Sequence, residues 1–230
     1  MLDRPAWAAL STRHLALSQG GALARRYAKD INLFASASDD TAAALAALTD
    51  LVQPGERIFI LQVPDILVPD GFVAVKEAKG VQMIARRCIP AAPPDEDLVR
   101  LTDADAPEML ALAQLTEPGP FLARTHVMGE FLGIRVDGRL AAIAGERFRF
   151  PGYTEVSGVC THPDFRHRGF ARRLSAALAA HIESRGERPF LHAWKANRPA
   201  IALYESLGFE IRAEVDVKVL ERQAWEGSRA

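Results

Sequence analysis

The stretch Val159-Cys-Thr-His-Pro-Asp-Phe-Arg-His-Arg-Gly-Phe-Ala171 decides the fold. It joins a predicted strand over residues 154–161 to a predicted helix that begins near Gly169. At the start of a helix, the first backbone N–H groups have no hydrogen-bond partner within the helix. In this turn, arginines lie beside these groups. Such an arrangement is typical of a phosphate-binding site. Taken alone, it also fits a basic helix start on a solvated surface.

The elements around this stretch alternate between strands and helices. Within residues 99–222 the pattern predicts a helix, a hairpin that turns at Asp137-Gly138, a strand, a helix over 169–185, a strand, a helix over 199–207 and a last strand. This order predicts an α/β fold with a mixed, partly antiparallel sheet flanked by helices.

Residues 1–90 form a second predicted α/β region. The pattern indicates a helix over 5–18, a short strand over 57–63, and a hairpin whose arms are 72–77 and 81–86. Residues 91–98 are rich in proline and acidic side chains, which predicts a linker. The division is therefore an N-terminal region (1–90), a linker (91–98), a domain (99–222) and a C-terminal tail (223–230).

Composition excludes several classes of protein. The chain has 230 residues, 49% of them apolar, and a net charge of −1, which argues against a nucleic-acid binder. The start of the chain lacks a signal-peptide pattern and no apolar run is long enough to span a membrane, so we expect a cytoplasmic protein without a membrane partner. Only Cys88 and Cys160 occur, without metal-ligand spacing, so no metal site is expected.

Further features follow the turn at fixed distances, namely Asn197, Tyr204 and the run Leu207-Gly208-Phe209. Together with Arg166-His-Arg-Gly-Phe-Ala171, they resemble the GNAT superfamily of acyl-CoA-dependent N-acyltransferases. The likeness runs from about Leu98 to Leu220. It implies a GNAT-type fold, acetyl-CoA as cosubstrate and an amine as acceptor. Residues 1–90 match weakly, as a candidate degenerate copy of the same fold.

The resemblance also implies which residues hold the cofactor. Backbone N–H groups around Gly169 would surround the pyrophosphate, the end of the preceding strand would pair with the pantetheine arm, and the amide of Asn197 would contact the arm or the phosphates. Alternatively, Asn197 only begins a helix, and His167 only faces solvent. The implied cofactor-binding residues are Val159, Cys160, Thr161, Arg166, His167, Arg168, Gly169, Phe170, Ala171, Arg172, Asn197 and Tyr204.

The catalytic roles also come from the resemblance. Glu155, eleven residues before Arg166, would act as the base, the N–H of Val159 would bind the oxyanion, and Tyr204 would protonate the CoA thiolate. The alternatives are an ordinary strand-edge glutamate and a core tyrosine. Cys160 is interpreted as a core residue rather than a nucleophile.

The acceptor is left open by the sequence. Glu117, Phe121 and Trp194 are predicted to line its side of the site. A small amine, an amino acid, a peptide N-terminus and a protein lysine all fit, and edge strands make a homodimer a candidate assembly. The predicted function is an acetyl-CoA-dependent N-acetyltransferase. The alternative is a non-catalytic acyl-CoA-binding module.

Overall fold

The computed structural model describes residues 1–86 and 97–224. Its helices are α1 (Pro5–Leu10), α2 (Ala42–Asp50), α3 (Ala106–Thr116), α4 (Phe170–Ser184) and α5 (Arg198–Ser206). Its strands are β1 (Ser18–Gly20), β2 (Ala24–Tyr27), β3 (Ala35–Ala37), β4 (Arg57–Gln62), β5 (Phe72–Ala85), β6 (Leu98–Leu101), β7 (Phe131–Val136), β8 (Arg139–Phe150), β9 (Tyr153–Thr161), β10 (Arg188–Trp194) and β11 (Phe209–Arg222).

One mixed sheet of eight strands organises the molecule. Its order is β4-β11-β5-β10-β9-β8-β7-β6, and β1, β2 and β3 form a separate small sheet. All neighbours in the large sheet are antiparallel except β9 and β10, which are parallel and are connected through α4. The predicted mixed, partly antiparallel α/β fold is confirmed.

Both faces of the large sheet are covered. On one face Leu174 and Leu178 of α4 and Ile201 of α5 pack on the central strands. On the other face Leu10 of α1 lies in the same apolar cluster as Phe190 of β10. Burying leucines such as Leu174 and Leu178 stabilises the fold by about 1.5–3 kcal/mol each.

The hairpin predicted at Asp137-Gly138 is confirmed. It connects β7 to β8, and both turn residues have positive φ, 51° and 78°. Two positive φ values in succession define the tight turn that matches the twist of paired strands. Here the local sequence was sufficient to predict the turn.

The hairpin predicted over residues 72–86 is wrong, because the segment is the single strand β5. β11 pairs with it along its whole length, so the ladder continues through the predicted turn. Gly80 has another function there. A Cβ on Gly80 would lie 3.0 Å from the carbonyl oxygen of Ala193, so the glycine allows β10 to approach.

The first helix is also shorter than predicted, since α1 ends at Leu10. The hydroxyl of Ser11 donates to the carbonyl of Trp7 at 2.7 Å, and the hydroxyl of Thr12 donates to that of Ala8. Side chains that bond to the backbone four residues earlier compete with continuation of a helix.

The predicted linker, 91–98, lies outside the described residues up to position 96, and its last residue, Leu98, begins β6. Of the predicted tail, only residues 223 and 224 are described. Strands from before the linker (β4, β5) and after it (β10, β11) are neighbours in one sheet.

Candidate active site

A cavity of about 370 Å³ lies where β9 and β10 part. The two strands pair only between residues 153–155 and 188–190, although both continue. Past this point residues 156–161 of β9 form one wall and residues 192–194 of β10 form another. Parted parallel strands leave unpaired backbone groups that an extended ligand arm can bind.

The end of β9 contains a bulge. Ser157 pairs with Gly145 and Cys160 with Ile143, so β9 has one residue more than β8 across this interval. Gly158, at φ 62°, lies inside it. A bulge changes the direction in which the following backbone groups point. It places Val159 on the cavity wall.

The turn before α4 has an open N-terminus. Gly169 is its N-cap residue at φ 76°, no side chain caps the first turn, and nothing within 4 Å would contact a Cβ on Gly169. His167 also has positive φ, 64°. The N–H groups of the first turn and the positive end of the helix dipole are therefore available to an anion.

The predicted cofactor residues around this turn differ in what they can contribute. Arg166 lines the cavity, whereas Phe170 is buried in the core and can contribute only its backbone. Arg168 lies 5.3 Å from the ring centroid of Phe165, and Arg172 bonds to Ser206. The other predicted cofactor residues of this turn do not line the cavity, namely His167, Arg168, Gly169, Phe170, Ala171 and Arg172.

Asn197 and Tyr204 both line the cavity. Asn197 caps α5, because its Oδ1 accepts from the N–H of Ala200 at 3.2 Å. The helix-boundary interpretation is therefore correct, and the residue also lines the cavity. Burial raises the pKa of Tyr204 to about 12, with a smaller opposing effect from Ser175, so its hydroxyl stays protonated.

Cys160 and Thr161 lie on the same wall. The thiol of Cys160 belongs to a buried apolar cluster with Leu112, Phe131 and Ile143. Burial raises its pKa to about 11, against a small opposing effect of Thr116. A thiol that remains protonated is a poor nucleophile, in agreement with the core interpretation.

Glu155 does not face the cleft, contrary to the prediction. Its side chain is fully buried and accepts from Nε and Nη2 of Arg147 at 2.8 and 2.6 Å, and from His192 Nδ1 at 2.6 Å. Burial alone would raise its pKa, but Arg147 and His192 outweigh burial and lower the pKa to about 2. A carboxylate with that pKa and these partners is a poor base.

His192 is fixed between two side chains. Its Nδ1–H donates to Glu155, and Nε2 lies 3.1 Å from Nε2 of Gln82, which must be the donor. Burial lowers the pKa of His192, against the raising effect of Glu155, so the imidazole is neutral. It lines the cavity, although no motif in the sequence marks it.

Of the residues predicted on the acceptor side, Glu117 and Trp194 line the cavity and Phe121 does not. Glu117 follows α3 at φ 49°, and Trp194 is half-exposed at the end of β10. Phe121 instead packs edge-on against Phe131, with ring centroids 5.7 Å apart.

Sequence reasoning missed a further wall of the cavity. Phe34, Phe59 and Leu61, from the N-terminal region, line the cavity together with Arg147 of β8. No motif marks these residues. They meet because β4 joins the sheet beside β11, a pairing between segments about 150 residues apart.

Within residues 1–86 and 97–224, no group of three His, Cys, Asp or Glu side chains could hold a metal ion. No helix among the described residues combines the length and the apolar character needed to cross a bilayer.

The chain is similar to known acetyltransferases. A family profile described as FR47-like protein matches residues 131–217, which contain β9, the turn and α4. The [ribosomal protein bS18]-alanine N-acetyltransferase of Salmonella typhimurium is 33% identical over 115 residues, 47% of this chain and 77% of that protein.

Solved structures extend the likeness to nearly the whole chain. A GNAT-family acetyltransferase from Novosphingobium aromaticivorans is 40% identical, with a TM-score of 0.91 over 97% of this chain and 99% of the other. A GCN5-related N-acetyltransferase from Kribbella flavida, 17% identical, shares the fold with a TM-score of 0.69 over 97% and 96%. This chain therefore belongs to the GNAT family of acetyltransferases and is an acyltransferase.

Proposed function

We propose that the protein transfers an acetyl group from acetyl-CoA to a primary amine by direct attack in a ternary complex. One observation carries this proposal. A single cavity connects the parted strands β9 and β10 with Arg166 beside the uncapped α4 turn, with Tyr204, and with a wall of apolar side chains beyond them. The residues assigned to the cofactor and the wall assigned to the acceptor therefore line one cavity.

The cofactor half consists of backbone and cationic groups. The first turn of α4 binds the pyrophosphate, and Arg166 adds a charge-assisted contact. Beyond this turn, the backbone of residues 156–161 pairs with the pantetheine arm. Asn197, which also lines the cavity, donates its amide to the arm in this proposal.

At the reacting carbonyl, two groups stabilise developing charge. The N–H of Val159, turned by the bulge at Gly158, donates to the oxyanion. The amine adds to the thioester carbonyl and forms this oxyanion, and the added nitrogen loses its second proton to solvent. The carbonyl re-forms as the C–S bond breaks, while Tyr204 donates its hydroxyl hydrogen bond to the departing sulfur. Burial moves its pKa further above neutral, to about 12, so this hydroxyl acts as a hydrogen-bond donor rather than as a strong acid.

The amine must lose a proton, since a primary amine has a pKa of roughly 10.4 and enters as the ammonium ion. Glu117 is the one carboxylate among the described residues that line the cavity. We assign to Glu117 the binding of the ammonium ion and the passage of its proton toward solvent, in place of Glu155.

The test is CoA release, measured with a thiol reagent, from acetyl-CoA and a panel of primary amines. The panel includes a peptide with N-terminal alanine, because the Salmonella relative is named for an alanine of a ribosomal protein. We expect CoA release that depends on an amine and yields its N-acetyl product. Tight acetyl-CoA binding without release for any amine would contradict the proposal.

The role of Glu117 is tested by Glu117→Gln. We expect kcat to fall by about 100-fold and its dependence on pH to change, because removing a proton-transfer group typically costs that much. Glu108→Gln is the matched control, since Glu108 is an exposed glutamate of α3 that does not line the cavity. Equal kinetics for the two variants would remove Glu117 from the mechanism.

A further inference from the structure

One wall of the cavity consists of side chains to which the proposed function assigns no contact with the cofactor. Phe34 and Phe59 meet edge to face with centroids 5.8 Å apart, and Leu61, Val215 and Val217 continue this apolar wall. The guanidinium of Arg147 lies in the wall, which is otherwise suited to an apolar ligand group.

Arg147 is held rigidly. Its guanidinium carbon lies 4.8 Å from the ring centroid of Phe34 and 4.7 Å from that of Phe148. Its Nε and Nη2 both bond to Glu155, whose carboxylate is itself held by His192. A guanidinium fixed by two rings and a bidentate carboxylate has little freedom left to lose on binding a ligand.

The third nitrogen of this guanidinium remains available. Among the described residues no side chain or carbonyl accepts a hydrogen bond from Nη1, although the side chain is only 14% exposed and lines the cavity. A largely buried N–H donor of this kind is stabilised when a ligand oxygen accepts its hydrogen bond. Arginine has no acceptor atom, so it cannot bind a donor group of the ligand.

The charge of this cluster also limits what it can bind. Glu155 is an anion, Arg147 a cation and His192 neutral, so the three side chains together carry no net charge. The cluster therefore does not attract the second ammonium group of a diamine acceptor. That group is a hydrogen-bond donor, and it would face Nη1, which is also a donor.

We propose that Arg147 recognises the acceptor, which is a primary amine that bears a carbonyl or carboxylate oxygen on an apolar body. The oxygen accepts from Nη1 of Arg147, and the body packs against Phe34 and Phe59. This inference rests on the proposed function, and it names the substrate class. Free amino acids and peptide N-termini share this chemistry, whereas polyamines do not.

The experiment compares four acceptors on one apolar body. They are phenethylamine, which has no oxygen, L-phenylalaninamide, L-phenylalanine and the tripeptide Phe-Ala-Ala. For each, kcat/KM is measured with wild type and with Arg147→Lys, which keeps a cation beside buried Glu155. The ratio of the two values cancels the different basicities of the amines.

For at least one oxygen-bearing acceptor, we expect kcat/KM of wild type to exceed that of Arg147→Lys by about tenfold or more, because a charge-assisted hydrogen bond is lost. For phenethylamine, which has no such bond to lose, we expect a ratio near one. The KM for acetyl-CoA should not change. A preference for L-phenylalanine would identify a free amino acid, and a preference for Phe-Ala-Ala a peptide N-terminus. Arg100→Lys is the matched control, since Arg100 is an exposed arginine of the edge strand β6.

A second variant guards against misfolding. The double variant Arg147→Met with Glu155→Gln removes both charges, so no unpaired charge is buried, and it should show the same selective loss. Equal ratios for all four acceptors, or acetylation of spermidine as fast as any of them, would overturn the inference and leave the acetyl transfer intact. No CoA release with any acceptor would overturn both.

Discussion

Burial by itself raises the pKa of both Glu155 and Tyr204, yet Glu155 is an anion and Tyr204 is neutral. Both lose water, which favours the neutral form of each. Tyr204 has no cation to oppose this effect, so its pKa rises to about 12 and it remains a donor. Glu155 is paired with Arg147, so its pKa falls to about 2 and it remains an anion. We therefore assign Tyr204 to the chemistry and Glu155 to the positioning of Arg147.

Tyr204→Phe tests the first assignment. We expect kcat to fall by about 100-fold, since a proton donor to the leaving group is lost, while acetyl-CoA affinity stays unchanged. Tyr153→Phe is the control, because Tyr153 packs against Phe150 and does not line the cavity. An unchanged kcat in Tyr204→Phe would remove this residue from the mechanism.

Glu155→Gln tests the second assignment through stability. A carboxyl whose pKa is lower in the folded than in the unfolded state stabilises the fold above its unfolded pKa, about 4.3, and loses this contribution as pH falls toward about 2. Wild type should therefore exceed the variant by about 3 kcal/mol in free energy of unfolding at pH 6, and by clearly less at pH 3.

Urea denaturation followed by circular dichroism at both pH values measures this difference. Glu77→Gln is the control, because Glu77 is an exposed glutamate and its replacement should change stability little at either pH. A gap between wild type and Glu155→Gln that is the same at pH 6 and pH 3 would show that Glu155 is not held as a strong anion.

At the scale of the elements, the N-terminus of α4 is the feature that we propose binds the phosphates of the cofactor. The first turn has no side-chain cap, and Gly169 leaves open space above it. Ends of helices with free N–H groups are stabilised by an anion, and this one opens beside Arg166 on the cavity wall.

Gly169→Glu should therefore abolish acetyl-CoA binding, since it places a carboxylate where the phosphates bind. Gly186→Glu is a closely matched control. Gly186 has φ 75°, against 76° for Gly169, and lies beyond the opposite end of the same helix. Both variants place a glutamate at a backbone position with nearly the same positive φ. Calorimetric titration that finds equal affinities in the two variants would show that the phosphate site is elsewhere.

Local features of this chain could be predicted from its sequence, and features made by distant pairing could not. The Asp137-Gly138 turn and the α4 start depend on residues within a few positions of each other. Gly80 was interpreted as part of a turn, because its true neighbour, Ala193 of β10, is more than a hundred residues away. Glu155 was interpreted as facing the cleft because its partner Arg147 gives no sequence signal.

At the scale of the whole molecule, the N-terminal region belongs to the same sheet as the family motifs. β11 lies between β4 and β5, and β5 also pairs with β10. The N-terminal region also supplies Phe34, Phe59 and Leu61 to the cavity. We therefore expect the two parts to be interdependent both in folding and in acceptor binding.

A fragment of residues 97–224 should not fold alone. Without β4 and β5, the 14 residues of β11 lose both of their neighbours, and an unpaired apolar strand promotes aggregation. The full chain should unfold in one cooperative transition. Circular dichroism and thermal melting measure both properties. A soluble fragment that melts cooperatively would contradict this expectation and favour independent domains.

The central claim is that the cleft between β9 and β10 binds acetyl-CoA. Isothermal titration of the full chain with acetyl-CoA tests it most directly, with pantetheine, which lacks the phosphates, as the comparison. The account predicts saturable binding at one site for acetyl-CoA and much weaker binding for pantetheine. No binding at millimolar acetyl-CoA would contradict the account, and the roles assigned to Val159, Glu117 and Tyr204 would no longer be supported.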